Sequence, residues 1–169
     1  RVADVGCGIL NSIGLENVGC EAFIADKLPA VHLPCKCFAS IGGDTVDEYR
    51  QLAALLGGKP GIDAIEINVS CPNVARGCIA FGSDPATTRE VVRAVRAETD
   101  RPLIAKLPPL FSGLENVAVA ACEAGADALV VANTYPGIAI DVEVERPLLG
   151  NVSGGLSGRA VRPLSVLLV

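Results

Sequence analysis

Between residues 35 and 132 the sequence keeps one rhythm: a short apolar run, a break, an amphipathic stretch, another break. The apolar runs fall at 35–41, 62–69, 102–107 and 126–132, and the amphipathic stretches at 44–56, 84–98 and 113–124. Runs of that length that are almost wholly apolar predict strands buried on both faces, as in a parallel sheet flanked by helices. The helices carry their own punctuation. Asp44 or Thr45 caps the first, Asp47 and Glu48 suit its opening turn, and Val46, Tyr49, Leu52, Ala53 and Leu56 space an apolar face that Gly57-Gly58 ends. Pro85 takes the first position of the second helix, with Val91, Val92 and Val95 on its inner side, and Gly125 stops the third. The string reads βαβαβαβ, an α/β fold with right-handed crossovers.

After Asn133 the rhythm changes. Residues 138–146 alternate apolar and polar, which predicts an exposed hairpin arm or edge strand. Residues 150–158 are rich in Gly and Ser, and 159–169 open a further helix. A doubly wound sheet and a (β/α)8 barrel both accommodate four such strands. No GxGxxG follows the first strand and no GxxxxGK[ST] occurs, which counts against a nucleotide-binding doubly wound sheet. A whole barrel needs roughly 250 residues, so 169 residues supply one domain, 1–169, holding part of one. The absence of any Met, with Arg1 in first place, agrees with a piece of a longer chain.

Composition removes several function classes. Lys and Arg total 14 against 19 Asp and Glu, a net charge of -5, which argues against a basic nucleic-acid surface. No apolar run approaches the ~18–20 residues of a membrane span. The seven cysteines are odd in number and follow no signal peptide, which suits a reducing cytoplasm and thiols used as small core residues. His32 alone is too little for a common zinc site, and no CxxC pair occurs.

Ligands of parallel α/β sheets bind at the carboxyl ends of the strands. The first strand is followed by Ser40-Ile41-Gly42-Gly43 and the second ends Asn68-Val69-Ser70-Cys71-Pro72-Asn73. The third carries Lys106 before its Pro108-Pro109 stop, and the fourth ends Asn133-Thr134. Carboxamides, hydroxyls, one thiol and one ammonium therefore converge on one rim. Carboxamides suit a ring that both donates and accepts hydrogen bonds, such as a pyrimidine or an imide. Asn73 and Asn133 equally suit turns, and Lys106 equally suits a strand-end lysine reaching for solvent. Cys71 serves as a proton acceptor near neutral pH where its surroundings favour the thiolate, and is otherwise inert. The segment Gly154-Gly155-Leu156-Ser157-Gly158 offers bare backbone N–H groups to a phosphate or a flavin edge.

Taken together these pieces resemble the dihydroorotate dehydrogenase family, and within it the FMN-binding catalytic subunit of the two-subunit, NAD-linked branch. The resemblance rests on Asn11-Ser-Ile-Gly-Leu-Glu-Asn17, Asp63-Ala-Ile-Glu-Ile-Asn-Val-Ser-Cys-Pro-Asn-Val74, Ile79-Ala-Phe-Gly-Ser-Asp-Pro85 and Arg101-Pro-Leu-Ile-Ala-Lys-Leu107. Further on, Gly125-Ala-Asp-Ala-Leu129, Asn133-Thr134, Gly137-Ile-Ala-Ile-Asp141, Arg146-Pro147 and Gly154-Gly-Leu-Ser-Gly158 keep the family order.

The resemblance implies a (β/α)8 barrel with FMN at its carboxyl rim, oxidising dihydroorotate to orotate in pyrimidine biosynthesis. It implies substrate contacts from Asn11, Ser12, Ile13, Gly14, Leu15, Asn68, Asn73, Asn133 and Thr134. Cys71 is implied as the base for the C5 proton, and Ser40, Asn68, Lys106, Ala132 and Gly158 as FMN contacts. It further implies a cytoplasmic enzyme, a homodimer or heterotetramer at full length, whose electrons leave through a partner subunit holding FAD and a [2Fe–2S] cluster. Three positions depart from the branch: Ser40 replaces a common Asn, Cys78 an expected Gly, and Pro108-Pro109-Leu110 looks more like a fumarate-linked branch. A related pyrimidine reductase and a barrel fragment that binds no flavin are the alternative readings.

Overall fold

The computed structural model describes residues 1–31, 34–70 and 81–169. Strands β1 (Val2–Asp4) and β2 (Ile9–Asn11) come first, and a helical segment opens with α1 (Cys20–Ala22) and runs on to Ala30. The βα units follow: β3 (Phe38–Ile41), α2 (Val46–Leu56), β4 (Ala64–Asn68), α3 (Pro85–Arg96), β5 (Leu103–Lys106), α4 (Leu114–Glu123) and β6 (Ala128–Val130). Last come β7 (Tyr135–Ile138), β8 (Ile140–Asp141), β9 (Arg146–Pro147), β10 (Ser153–Ser157) and α5 (Arg162–Leu168).

The parallel sheet has the order β3-β4-β5-β6, so spatial order follows chain order. With right-handed crossovers, an unbroken order puts every connecting helix on the same face. A doubly wound sheet needs a reversal of strand order, and none occurs between β3 and β6. The unit is therefore singly wound, four strands of the (β/α)8 type.

That geometry corrects one expectation. The strands are packed by helices on one face only. Ile41, Ile65, Ile67, Leu103 and Ala105 point into the main core against Val91, Val92 and Val95 of α3 and Val117 and Ala121 of α4. The opposite face carries Phe38, Ser40, Glu66, Ile104, Lys106 and Val130, which are partly or largely exposed. A barrel strand turns its second face to the barrel interior, where Glu66 and Lys106 break the apolar run at alternate positions.

The helix ends obey local rules. Thr45 caps α2 by accepting from the Glu48 N–H while the Glu48 carboxylate accepts from the Thr45 N–H, a reciprocal capping box. Asp84 caps α3, accepting from the Thr87 N–H at 2.8 Å, with Pro85 next to it.

Residues 35–37 lie outside the first strand. The Asp63 carboxylate takes the Cys37 N–H at 2.9 Å and the Lys36 ammonium at 2.8 Å, ending the ladder before it reaches Cys35. The cysteine expectation fails with it. Cys7, Cys35 and Cys122 are exposed and Cys20 and Cys37 are half-buried, so none of the five described thiols is fully buried, and only Cys20 among them packs against the main core. Burial does push the Cys20 thiol above its ordinary pKa, with Glu21 adding to the rise.

A second sheet was not foreseen. It is antiparallel, with the order β1-β2-β10-β7, and joins residues about 145 positions apart. The Gly/Ser-rich stretch expected to be a phosphate-facing loop is its central strand, β10, laddered on both edges to β2 and β7. Part of the alternating segment 138–146 does form the expected hairpin, with Ile140 opposite Pro147 and Asp141 opposite Arg146. Ile138, Ile140, Val142 and Val144 are exposed along it. Among the described residues no helix is long and apolar enough to cross a membrane.

Candidate active site

Asn68 and Lys106 end adjacent parallel strands and are register partners. In a parallel pair, residues in register share a face, so both side chains leave the sheet on its helix-free side at the carboxyl pole. The antiparallel sheet stands opposite them. Between the two sheets lies a cavity of about 400 Å³ lined by Asn68 and Lys106, by Asn133 and Thr134 after β6, and by Asn11, Ser12, Gly14 and Leu15 at the end of β2. Pro136, Ser153, Gly154 and Gly155 complete its wall. Its volume lies in the lower part of the ~300–1,000 Å³ range of small-molecule sites.

Ten residues singled out from the sequence, Gly154 and Gly155 among them, thus meet in one place, though they span positions 11 to 155. Others stand apart. Ile13 is 45 % exposed and does not line the cavity. Ser40 lies at a neighbouring, more apolar cavity with Val18, Phe23 and Phe38, and its hydroxyl donates to Glu66 at 2.8 Å. Ala132 is half-buried just before Asn133, off the cavity wall. Gly158 closes the end of β10, where an added Cβ would sit 2.8 Å from Gly8 Cα. Cys71, Asn73 and Cys78 lie outside the described residues.

Three partners were missed. Glu66, two residues before Asn68 on the same face, places Oε1 3.7 Å from Lys106 Nζ. A lone carboxylate inside an apolar strand, at even spacing from a candidate site residue, was the available signal. Ser70 is buried, donating its hydroxyl to Asn68 Oδ1 at 2.7 Å and accepting from Asn133 Nδ2 at 2.6 Å. Tyr49 crosses from α2 to donate its hydroxyl to the Asn68 carbonyl at 2.8 Å, with its ring edge-on to Phe81 at 5.7 Å. A helix residue predicted as core thereby also holds the strand end that bears a site carboxamide. On the opposite wall Asn11 Nδ2 donates to the Gly155 carbonyl at 3.2 Å.

Chemically, the cavity offers an ammonium with a nearby carboxylate, three carboxamides and three hydroxyls against a glycine-lined wall. Such a set orients a planar polar heterocycle and supports negative charge on it.

The family profile described as Dihydroorotate dehydrogenase matches residues 1–169. The chain belongs to the dihydroorotate dehydrogenase family. It is 52 % identical over 167 residues to the "Dihydroorotate dehydrogenase B (NAD(+)), catalytic subunit" of Desulforudis audaxviator, covering 98 % of this chain and 54 % of that protein. It is 46 % identical over 170 residues to the protein of the same name from Geobacter sp. strain M21, covering 100 % of this chain and 56 % of that one. The chain therefore spans about half the length of these curated relatives. Among solved structures, the carboxyl transferase domain of Rhizobium etli pyruvate carboxylase aligns at a TM-score of 0.42 and 23 % identity, over 58 % of this chain and 16 % of that one; a likeness of that size carries no argument. The dihydroorotate dehydrogenase relatives match along the whole chain, so the family spans the parallel units and the antiparallel sheet alike.

Proposed function

We propose that this chain carries the substrate half of an FMN-dependent oxidation of dihydroorotate to orotate in pyrimidine biosynthesis. The observation that supports it is the cavity itself, where residues from the ends of β2, β4, β5 and β6 meet. Asn11, Asn68, Asn133 and Thr134 hold the ring and its carboxylate, with Ser12, Gly14 and Leu15 closing one side; Ile13 and Asn73 complete the expected substrate set. Cys71, which directly follows Ser70 in sequence, takes the C5 proton as general base.

The donor set suits a flavin. Lys106 presents an ammonium where an electron-rich ring needs positive charge, and Gly154 and Gly155 leave the facing wall without side chains. Lys106 and Asn68 would contact the flavin, with Ser40, Ala132 and Gly158 at its margins. FMN, when bound, supplies the acceptor for the C6 hydride. The relatives' name, which calls them catalytic subunits of an NAD(+) enzyme, supports transfer onward to NAD through a partner subunit. In this reading that subunit holds FAD and a [2Fe–2S] cluster, and the two assemble as a heterotetramer in the cytoplasm.

The test is anaerobic addition of dihydroorotate to flavin-loaded protein. Flavin absorbance should be lost, and Cys71→Ala should slow that loss by about 100-fold or more while orotate still binds. Equal rates in the two proteins would remove the base assignment. A wild-type flavin that dihydroorotate leaves oxidised would remove the activity.

A further inference from the structure

Ser70 joins two carboxamides that come from different strand ends. It is 5 % exposed and Asn68 is 7 % exposed, so water competes little for their polar atoms. The Ser70 backbone N–H donates to the Asn68 side chain at 3.3 Å. A backbone N–H can only donate, so the amide atom facing it is Oδ1. The Ser70 hydroxyl donates its single proton to the same Oδ1 at 2.7 Å. Ser70 Oγ is then an acceptor to Asn133, whose Nδ2 donates to it at 2.6 Å. At the far end the Thr134 backbone N–H donates to Asn133 Oδ1 at 2.7 Å. An obligate donor anchors each end of the chain, and the orientation of both amides follows.

Among the described residues, nothing accepts from the Nδ2 of Asn68 or from the second N–H of Asn133. Both residues line the cavity beside Lys106, whose ammonium only donates. That corner offers donors to a ligand. We propose that Ser70 is a positioning residue that locks Asn68 and Asn133 with their N–H groups toward the cavity, and so selects an acceptor-rich, carboxylate-bearing ring over a neutral one. The inference rests on the substrate reading above and adds the residue that sets its polarity. Without the hydroxyl, Asn133 keeps the Thr134 N–H on Oδ1 but loses the partner of its Nδ2, so its carboxamide is held at one end only and is no longer tied to Asn68.

The test titrates orotate, and uracil as the neutral ring, into the flavin-loaded wild-type protein and into Ser70→Ala and Ser70→Thr, by calorimetry. Wild type should prefer orotate. Ser70→Ala should weaken orotate about tenfold and uracil less than about threefold, which collapses the preference. Ser70→Thr keeps a hydroxyl and should restore orotate to within about threefold of wild type. A Ser70→Ala protein that loses both ligands equally, with a lowered Tm, has only a structural serine, and the proposal fails. It fails equally if orotate binding is unchanged, an outcome that leaves the substrate reading standing. Wild type that does not bind orotate removes the substrate reading and this inference with it.

Discussion

Lys106 Nζ stands 3.7 Å from Glu66 Oε1, and the same oxygen accepts the Ser40 hydroxyl at 2.8 Å. The pair lies on the helix-free face of the parallel sheet, with Lys106 at the cavity. Glu66 therefore offsets part of the charge that Lys106 offers to an anionic ligand. Glu66→Gln keeps the shape and an acceptor for Ser40 but removes the negative charge. Orotate should then bind about two- to fivefold tighter at low salt, with the gain shrinking as ionic strength rises. Stability should move by less than about 1 kcal/mol, because both side chains are partly solvated. Titrations at two salt concentrations check the first expectation and urea unfolding the second; weaker binding in the Gln variant would mean that Glu66 instead holds Lys106 in place.

The two faces of β5 make opposite demands. Leu103 is fully buried against the helices, whereas Ile104, its neighbour, points to the other face and is half-buried. Leu103→Ala should cost about 2–5 kcal/mol by removing core contacts and leaving a cavity. Ile104→Ala should cost markedly less, below about 2 kcal/mol, because less of its side chain leaves water on folding. Urea unfolding of both variants measures the difference. Equal costs would contradict a singly wound sheet with helices on one side.

The parallel units were legible because their signals are local. Thr45 with Glu48, and Asp84 with Pro85, mark helix starts within a few residues, and the apolar runs mark β3 to β6 within a few residues of their ends. The strand-end rule then placed Asn68, Lys106, Asn133 and Thr134 on one rim without any knowledge of distance. The antiparallel sheet was not legible. Its strands β2 and β10 are three and five residues long, and Asn11 pairs with Gly155, 144 positions away. Nothing in the neighbourhood of Gly154-Gly155 distinguishes a strand from a phosphate loop, since a glycine run signals backbone freedom as readily as close approach. The thiols misled for a related reason: Cys35 and Cys37 read as strand residues until Asp63 takes the backbone N–H that would continue the pairing.

Asp63 also carries a pH signature. The Lys36 ammonium, and then the Cys37 N–H, hold its carboxyl below the ordinary value. A depressed folded-state pKa adds stability that is present above the unfolded pKa of about 4 and is lost as pH falls through the folded value. Acid unfolding of the wild type should therefore include a component below about pH 4 that Asp63→Asn lacks. Lys36→Ala should remove part of it, leaving the share due to the Cys37 N–H. Fluorescence-monitored acid titrations of the three proteins measure it; superimposable curves would show that the contacts around Asp63 do not persist in solution.

Gly155 tests whether the antiparallel sheet belongs to the site. It pairs with Asn11 on one side and Pro136 on the other, and its carbonyl accepts the Asn11 carboxamide. A Cβ added there would run into the Thr134 hydroxyl and lie 2.7 Å from Thr134 Cβ, so Thr134 has to move. Thr134 follows Asn133 and its N–H anchors the Asn133 carboxamide, so the displacement reaches the far end of the Ser70 network. Gly155→Ala should weaken orotate binding about tenfold or more, as expected when an anchoring hydrogen bond is broken in a buried network. Gly150 is the control: it is exposed, keeps an ordinary φ, and a Cβ there meets nothing within 4 Å. Gly150→Ala should bind orotate as wild type does. Orotate titration of the two alanine variants decides it; equal affinities would mean that β10 only covers the barrel pole and takes no part in shaping the site.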